Sequence, residues 1–258
     1  MQVIDLSKPI QYNRDDPPFM RVKIKHKPHW LARWIVRALG LPFKYMPRDF
    51  VGWSDDTITQ MGVHSTTHID APWHYGPTSG EPGHETPAES IDKMPLEKGI
   101  GPGVVIDMSH KADGEMISAN DIKKELKKSG AQISEGTIVL IRTDRDQFLG
   151  SKEYWKRGTG MSAEATEWLI DQGSTVMGID QWGWDLPFHH QIRISKQQKR
   201  NDLFWEGHRL GQRKPYWQME QLTNLAALPS HGFQVCVFPL KIVGASAAPA
   251  RVVALLET

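Results

Sequence analysis

A helix-then-strand unit repeats through the middle of this chain, and it limits the fold more than any other feature of the sequence. Gly103-Val104-Val105-Ile106-Asp107-Met108 is a short apolar run of the kind buried on both faces of a sheet. Ser118 then stands where an N-cap hydroxyl is needed, a helix is expected through about Lys128, and Gly130 is its stop signal. Residues 137–143 follow as a second buried strand. The unit then recurs: Ser162 caps a helix through about Asp171, Gly173 ends it, and residues 174–180 form a strand. This alternation predicts an α/β chain with some parallel pairing. Residues 3–6, 57–63, 234–243 and 251–255 read as further strands, the second of them running straight into a group of histidines.

The chain has 258 residues with no low-complexity linker and no clear boundary, so one domain is expected. Two segments read as insertions. One covers about residues 22–50, is basic and aromatic, and holds a short amphipathic helix over 29–39 that ends at Gly40-Leu41-Pro42. The other covers about 182–217 and is rich in Trp, His, Arg and Gln. Segments of this length usually act as lids, partner-contacting arms or mobile loops. A net charge of +1 gives no electrostatic case for nucleic acid or an anionic membrane. No apolar stretch is long enough to span a bilayer, and the first residues lack a signal-peptide pattern, so a cytoplasmic location is expected. The single cysteine, Cys236, sits in an apolar run and is expected in the core, with no internal disulfide possible.

His64, His68, Asp70 and His74 fall within eleven residues at even intervals. In an extended chain, even spacing sends side chains to one face, so the four can converge. Imidazoles with a carboxylate suit zinc, manganese or iron better than calcium or magnesium. A helical reading is disfavoured by Ser65, Thr66, Thr67, β-branched Ile69 and Pro72. An extended segment turning at Pro72, with His74 just beyond the turn, is expected instead. A cation held there would lower the pKa of water to about 7, generating a nucleophile at neutral pH.

The stretch from His64 through Asp70-Ala71-Pro72-Trp73-His74 closely resembles the His-x-Gly-Thr-His-x-Asp-x-Pro-x-His signature of the cyclase-like metal hydrolases, a family that includes kynurenine formamidases and isatin hydrolases. Ile4-Asp5-Leu6-Ser7, Gly178-Ile179-Asp180, Pro239-Leu240-Lys241-Ile242 and Pro249-Ala250-Arg251-Val252-Val253 resemble the family's opening, central and closing strands, in order. The resemblance implies a single-domain α/β fold with a mixed, barrel-like sheet and helices, of the swivelling β/β/α type. It implies His64, His68 and Asp70 as metal ligands and His74 as acid/base. It adds His208 and Glu220, twelve positions apart, as further ligands, with Glu220 opening a helix over 220–225. One or two divalent cations, Mn²⁺ or Zn²⁺, and a homodimer follow from the same likeness. If two cations bind, Asp70 lies between them. Thr66 stands where the signature has glycine, so either that backbone position is ordinary here or the loop differs locally; its parity with the ligands turns its side chain toward the pocket.

Ten tryptophans are unusual, and many fall in Pro/Gly-rich segments. Aromatics placed so either line a pocket for a flat ligand or cover a core or subunit interface. Trp53, Trp73, Trp182 and Trp184, with Thr66, are the substrate-contacting candidates. Asp180 and Asp185 flank the last two at the end of a strand, a common site edge. His189-His190 reads as a loop feature, and Arg251 as a substrate anchor or subunit contact. The expected activity is hydrolysis of a non-peptide C–N bond in a cyclic amide or N-formyl arylamine. Lactone hydrolysis or polyketide cyclisation on the same site is the second reading, and a metal-stabilised binding protein the third. An intact His74 argues against the last, because a purely structural site needs no spare acid/base.

Overall fold

A computed structural model describes residues 1–257. They pack as two compact units: Met1–Pro9 joined with the chain from Val63 onward, and Ile10–Gly62. The smaller unit pairs Lys23–Lys27 antiparallel with Asp55–Gln60. It also holds helix α1 (His29–Ala38), as the amphipathic pattern predicts. The strand expected over 57–63 therefore stops at Gln60 and belongs to this unit, while residues 63–67 are turns and bends. The expected insertion at about 22–50 falls within the same unit.

The larger unit contains an eight-stranded sheet: β1 (Gln2–Asp5), β2 (His68–Asp70), β3 (Ile100–Asp107), β4 (Ile138–Arg142), β5 (Val176–Ile179), β6 (Trp217–Glu220), β7 (Phe233–Pro239) and β8 (Ala247–Leu256). The order β8-β7-β3-β4-β5-β6-β2 returns to β8 and closes a mixed barrel, with β1 paired outside on β8. β3, β4, β5 and β6 are mutually parallel, and the rest are antiparallel. Closure is possible because β8 is long: residues 247–249 pair with β2, and residues 253–256 with β1. The fold is thus the mixed α/β barrel that the resemblance implies.

Strand alternation sorts the apolar residues into two layers. Ile69, Leu140, Val176, Met219, Val235 and Val252 fill the barrel. Val139, Ile141, Met177 and Ile179 face outward. After β2 comes the short helix α2 (Pro72–Tyr75), and after β3 and β4 come α3 (Ala119–Ser129) and α4 (Ala163–Asp171). Ile122 of α3 and Leu169 of α4 join the outward layer. Both caps form as expected. The Ser118 hydroxyl accepts from the Asp121 backbone in a capping box, Gly130 closes α3 at φ 71°, and the Ser162 hydroxyl accepts from the Ala165 backbone.

Three expectations are corrected. His189-His190 is not a loop feature of residues 182–217. Those residues carry α5 (Phe188–Gln198), which includes His189 and His190, and α6 (Glu206–Arg213). Glu220 ends a strand rather than opening a helix, because Gln221 and Asn224 take left-handed backbone at φ 59° and 60°. Cys236 is only half-buried, since β7 turns Phe233, Val235 and Val237 inward and Cys236 the other way. Among the described residues no helix is long and apolar enough to cross a membrane.

Candidate metal centre

The site stands on the outer wall of the barrel, where β2 and β6 run antiparallel. Their register sets His68 opposite Glu220 and Asp70 opposite Gln218. Ile69 and Met219 between them face the barrel interior, so alternation sends the four polar side chains outward. All four are buried. Pro72 then opens α2, whose turn brings His74 back to the cluster, and its ring lies 4.3 Å from that of His64. The expected ribbon is therefore shorter than the motif. Only His68–Asp70 is strand. His64 arrives from a turn before it and His74 from the helix after it.

Asp70 Oδ1 lies 3.0 Å from His64 Nδ1 and 3.2 Å from His68 Nε2. Yet Asp70 Oδ1 and His68 Nε2, both sealed from solvent, have no hydrogen-bond partner. Leaving two such atoms unpaired costs about 1–3 kcal/mol each unless something else satisfies them. Neighbouring ligands of an ion bound at about 2.1 Å lie roughly 3.0–3.4 Å apart, and Asp70 has that spacing with each of the two histidines. His64, Asp70 and His74 form one group able to hold an ion, and His68, Asp70 and Glu220 another, with Asp70 in both. His68 Nδ1 is hydrogen-bonded to the Thr66 carbonyl at 2.7 Å, which leaves Nε2 aimed at the site.

α6 supplies the rest. His208 is buried, with Nε2 3.5 Å from Glu220 Oε1 and 3.9 Å from Asp70 Oδ2. Its Nδ1 meets Asp185 Oδ2 at 2.5 Å, and Asp185 also accepts from the Gly207 and His208 backbone at the start of α6. One carboxylate thus caps the helix and orients the imidazole. Gly211 lets α6 approach closely, since a Cβ there would lie 2.2 Å from the Tyr75 ring. Gln218, not among the sequence candidates, sits at the centre. Its Nε2 lies 2.6 Å from Glu220 Oε1, 3.0 Å from His208 Nε2 and 3.4 Å from Asp70 Oδ2. The only sequence signal for it is parity, two residues before Glu220.

Electrostatics divide the roles. Burial pushes His74 down to about 4, helped by His64, His208 and His68 and opposed by Asp70, so it is an uncharged base at neutral pH. Burial alone would raise Asp70, but His74, His68 and His64 overcome it and hold the carboxylate well below its usual range. Burial would also lower His208. Hydrogen bonds to Asp185 and Glu220 outweigh that and push it up to about 10 in the cation-free protein. A second acidic cluster, Asp144, Asp146 and Asp180, is internally satisfied: Asp180 accepts from the Thr143 hydroxyl and two backbone amides, and Asp144 pairs with Arg142.

The substrate candidates separate. Trp184 is fully buried beneath the site; its ring N–H donates to the Thr166 hydroxyl and its backbone N–H to Glu220 Oε1. It supports Glu220 rather than lining a pocket, because a sealed ring has no face for a ligand. Trp182 packs against Trp155 and Phe188. Trp73 is exposed on α2 beside His74, and Trp53 lies in the Ile10–Gly62 unit next to Phe50. Thr66 keeps ordinary backbone with no positive φ, and its hydroxyl is buried without a partner. Arg251 is an exposed bidentate partner of Asp5. Trp205, which the sequence did not single out, stacks on His208 at 4.4 Å and stands edge-on to His74 at 5.4 Å.

This site on this barrel is that of a metal-dependent cyclase-like hydrolase fold. The family described as "Putative cyclase" matches residues 4–186, and the chain belongs to it. An isatin hydrolase of Roseibium aggregatum is 28% identical over 213 residues, 76% of this chain and 73% of the relative. A kynurenine formamidase of Maricaulis maris is 25% identical over 199 residues, 75% of this chain and 77% of the relative. Among solved structures, isatin hydrolase A from Ralstonia solanacearum superposes with a TM-score of 0.72 at 26% identity, covering 99% of this chain and 92% of that one. An isatin hydrolase bound to the product analogue thioisatinate has a TM-score of 0.71 at 22% identity, which carries the likeness of fold alone.

Proposed function

We propose that this chain hydrolyses a non-peptide C–N bond, in a cyclic amide or an N-formyl arylamine, with a divalent cation held by His64, His68 and Asp70. The observation that carries the reading is the pair of sealed ligand atoms, His68 Nε2 and Asp70 Oδ1, which face each other at 3.2 Å without a well-aligned hydrogen bond, beside an uncharged His74. Mn²⁺ and Zn²⁺ both suit the donors. Held by these residues, such a cation would supply acidified water and a Lewis acid for the scissile carbonyl. Asp70 stays ionised and balances the charge. His74 takes a proton from the attacking water and returns it to the leaving nitrogen, a role worth roughly 10²–10⁴-fold in rate. His208 and Glu220 extend the donor set on the far side of Asp70, with Asp185 fixing the His208 ring and the Trp184 backbone fixing Glu220. The two named relatives act, by their names, on isatin and on a kynurenine formamide, which supports a flat aryl amide as the substrate class.

The test is direct. Protein loaded with Mn²⁺ or Zn²⁺ should open isatin or deformylate an N-formyl arylamine, and a chelator should stop it. Loaded protein that turns over none of these, or activity untouched by chelation, contradicts the reading.

A further inference from the structure

We propose that Trp205 is the residue that selects flat, aromatic substrates. This rests on the hydrolase reading above and goes on to assign the wall against which the substrate's ring lies. Of the tryptophans, Trp205 is the one in ring contact with both His74 and His208: parallel to His208 at 4.4 Å and 11°, and edge-on to His74 at 5.4 Å and 82°. It is only half-buried, whereas Trp184 beneath the site is sealed.

The backbone holds it there on purpose of position rather than of comfort. Trp205 caps α6 in the left-handed region, at φ 59° and ψ 39°. A bulky L-residue takes that conformation only when its surroundings impose it, and such strain gathers at functional sites. The surroundings are identifiable. Gln191 of α5 is buried; its Oε1 accepts the Trp205 backbone N–H at 2.6 Å while its Nε2 donates to the Leu186 carbonyl. Two helices from the segment 182–217 therefore cooperate to aim one indole at the histidines.

In this proposal an aryl ring stacks on the part of the indole that His208 does not cover, within reach of His74, whose ring lies 5.4 Å from that of Trp205. A saturated ring of equal size cannot stack. Offset stacking is worth about 2- to 12-fold in affinity.

Wild type, Trp205→Ala and Trp205→Phe, each loaded with Mn²⁺, are compared in two ways. The first is equilibrium binding of phenylglyoxylate against cyclohexylglyoxylate, acids of similar size with no amide to cleave. The second is kcat/KM for N-formylaniline against N-cyclohexylformamide. Trp205→Ala should lower the aryl-to-saturated ratio roughly 2- to 12-fold in both, through Kd and KM, with metal content unchanged and Trp205→Phe retaining most of the preference. An unchanged ratio, equal losses for both members of a pair, loss of the metal, or a wild type that binds both acids equally or neither overturns the proposal. The binding arm needs no turnover. A wild type that cleaves neither formamide nor isatin, yet whose aryl preference in binding is lost in Trp205→Ala, sinks the hydrolase reading and leaves this one standing.

Discussion

The outer wall of the barrel is built twice from one alternation and ends as two different things. Under α3 and α4, the outward positions of β4 and β5 are Val139, Ile141, Met177 and Ile179, and they form a second apolar core. Under α2 and α6, the outward positions of β2 and β6 are His68, Asp70, Gln218 and Glu220. Burial is nearly complete on both sides. The first side gains stability from every methylene it covers. The second must satisfy each polar atom it covers, and it leaves Asp70 Oδ1 and His68 Nε2 unmatched. Both atoms are of the kind that bind transition-metal cations, which is what sets this side apart from an apolar core.

Substitutions should separate the two sides, and the largest effect is expected at their sharpest contrast. Asp70→Ala removes the carboxylate common to both candidate ion groups. Bound metal and turnover should both fall to background, read by metal analysis and a chromogenic amide assay, and an active Asp70→Ala enzyme would erase the distinction. His74→Ala should cost roughly 10²–10⁴-fold in kcat while keeping the metal; co-loss of the metal would make it a ligand. Asp185→Asn weakens the hold on His208 but keeps an acceptor for the α6 end. About 10- to 100-fold lower metal affinity is expected by competition with a chelating dye.

Smaller still is the effect of pH. The raised pKa of His208 stabilises the cation-free fold fully below its ordinary 6.5, and that contribution is lost as pH rises through about 10. A cation ligated by His208 must displace its proton inside that window, so affinity should climb by up to about tenfold per pH unit. Calorimetry at pH 8 in buffers of different ionisation enthalpy should detect the proton, and none released would remove His208 from the donor set. On activity the smallest effect should come from the apolar side. Ile141→Ala should cost about 2–5 kcal/mol of stability by urea unfolding and leave kcat of the folded enzyme unchanged.

How much was legible in the sequence follows from range. Caps and strands such as Ser118, Ser162 and residues 138–142 are local, and they appear where apolar runs and stop signals place them. The motif from His64 to His74 is local too, although its even spacing explains only His68 and Asp70; turns deliver the other two. Gln218 was missed because parity with Glu220 is its only local mark, and nothing local sets Trp205 apart from the other tryptophans of Pro/Gly-rich segments. Gln218 matters through a cross-strand register with Asp70, and Trp205 through a left-handed cap held by Gln191 fourteen residues earlier. Trp184 misled for the opposite reason: a tryptophan among glycines reads as a loop aromatic, yet α4 and β6 seal it.

Diffraction at the absorption edge of manganese or zinc, from crystals grown with that cation, tests the central claim most directly. An anomalous peak within coordinating distance of His64 Nδ1, His68 Nε2 and Asp70 Oδ1 is the predicted result. Well-ordered side chains at those positions with no peak among them, at a cation concentration that supports catalysis, would contradict it.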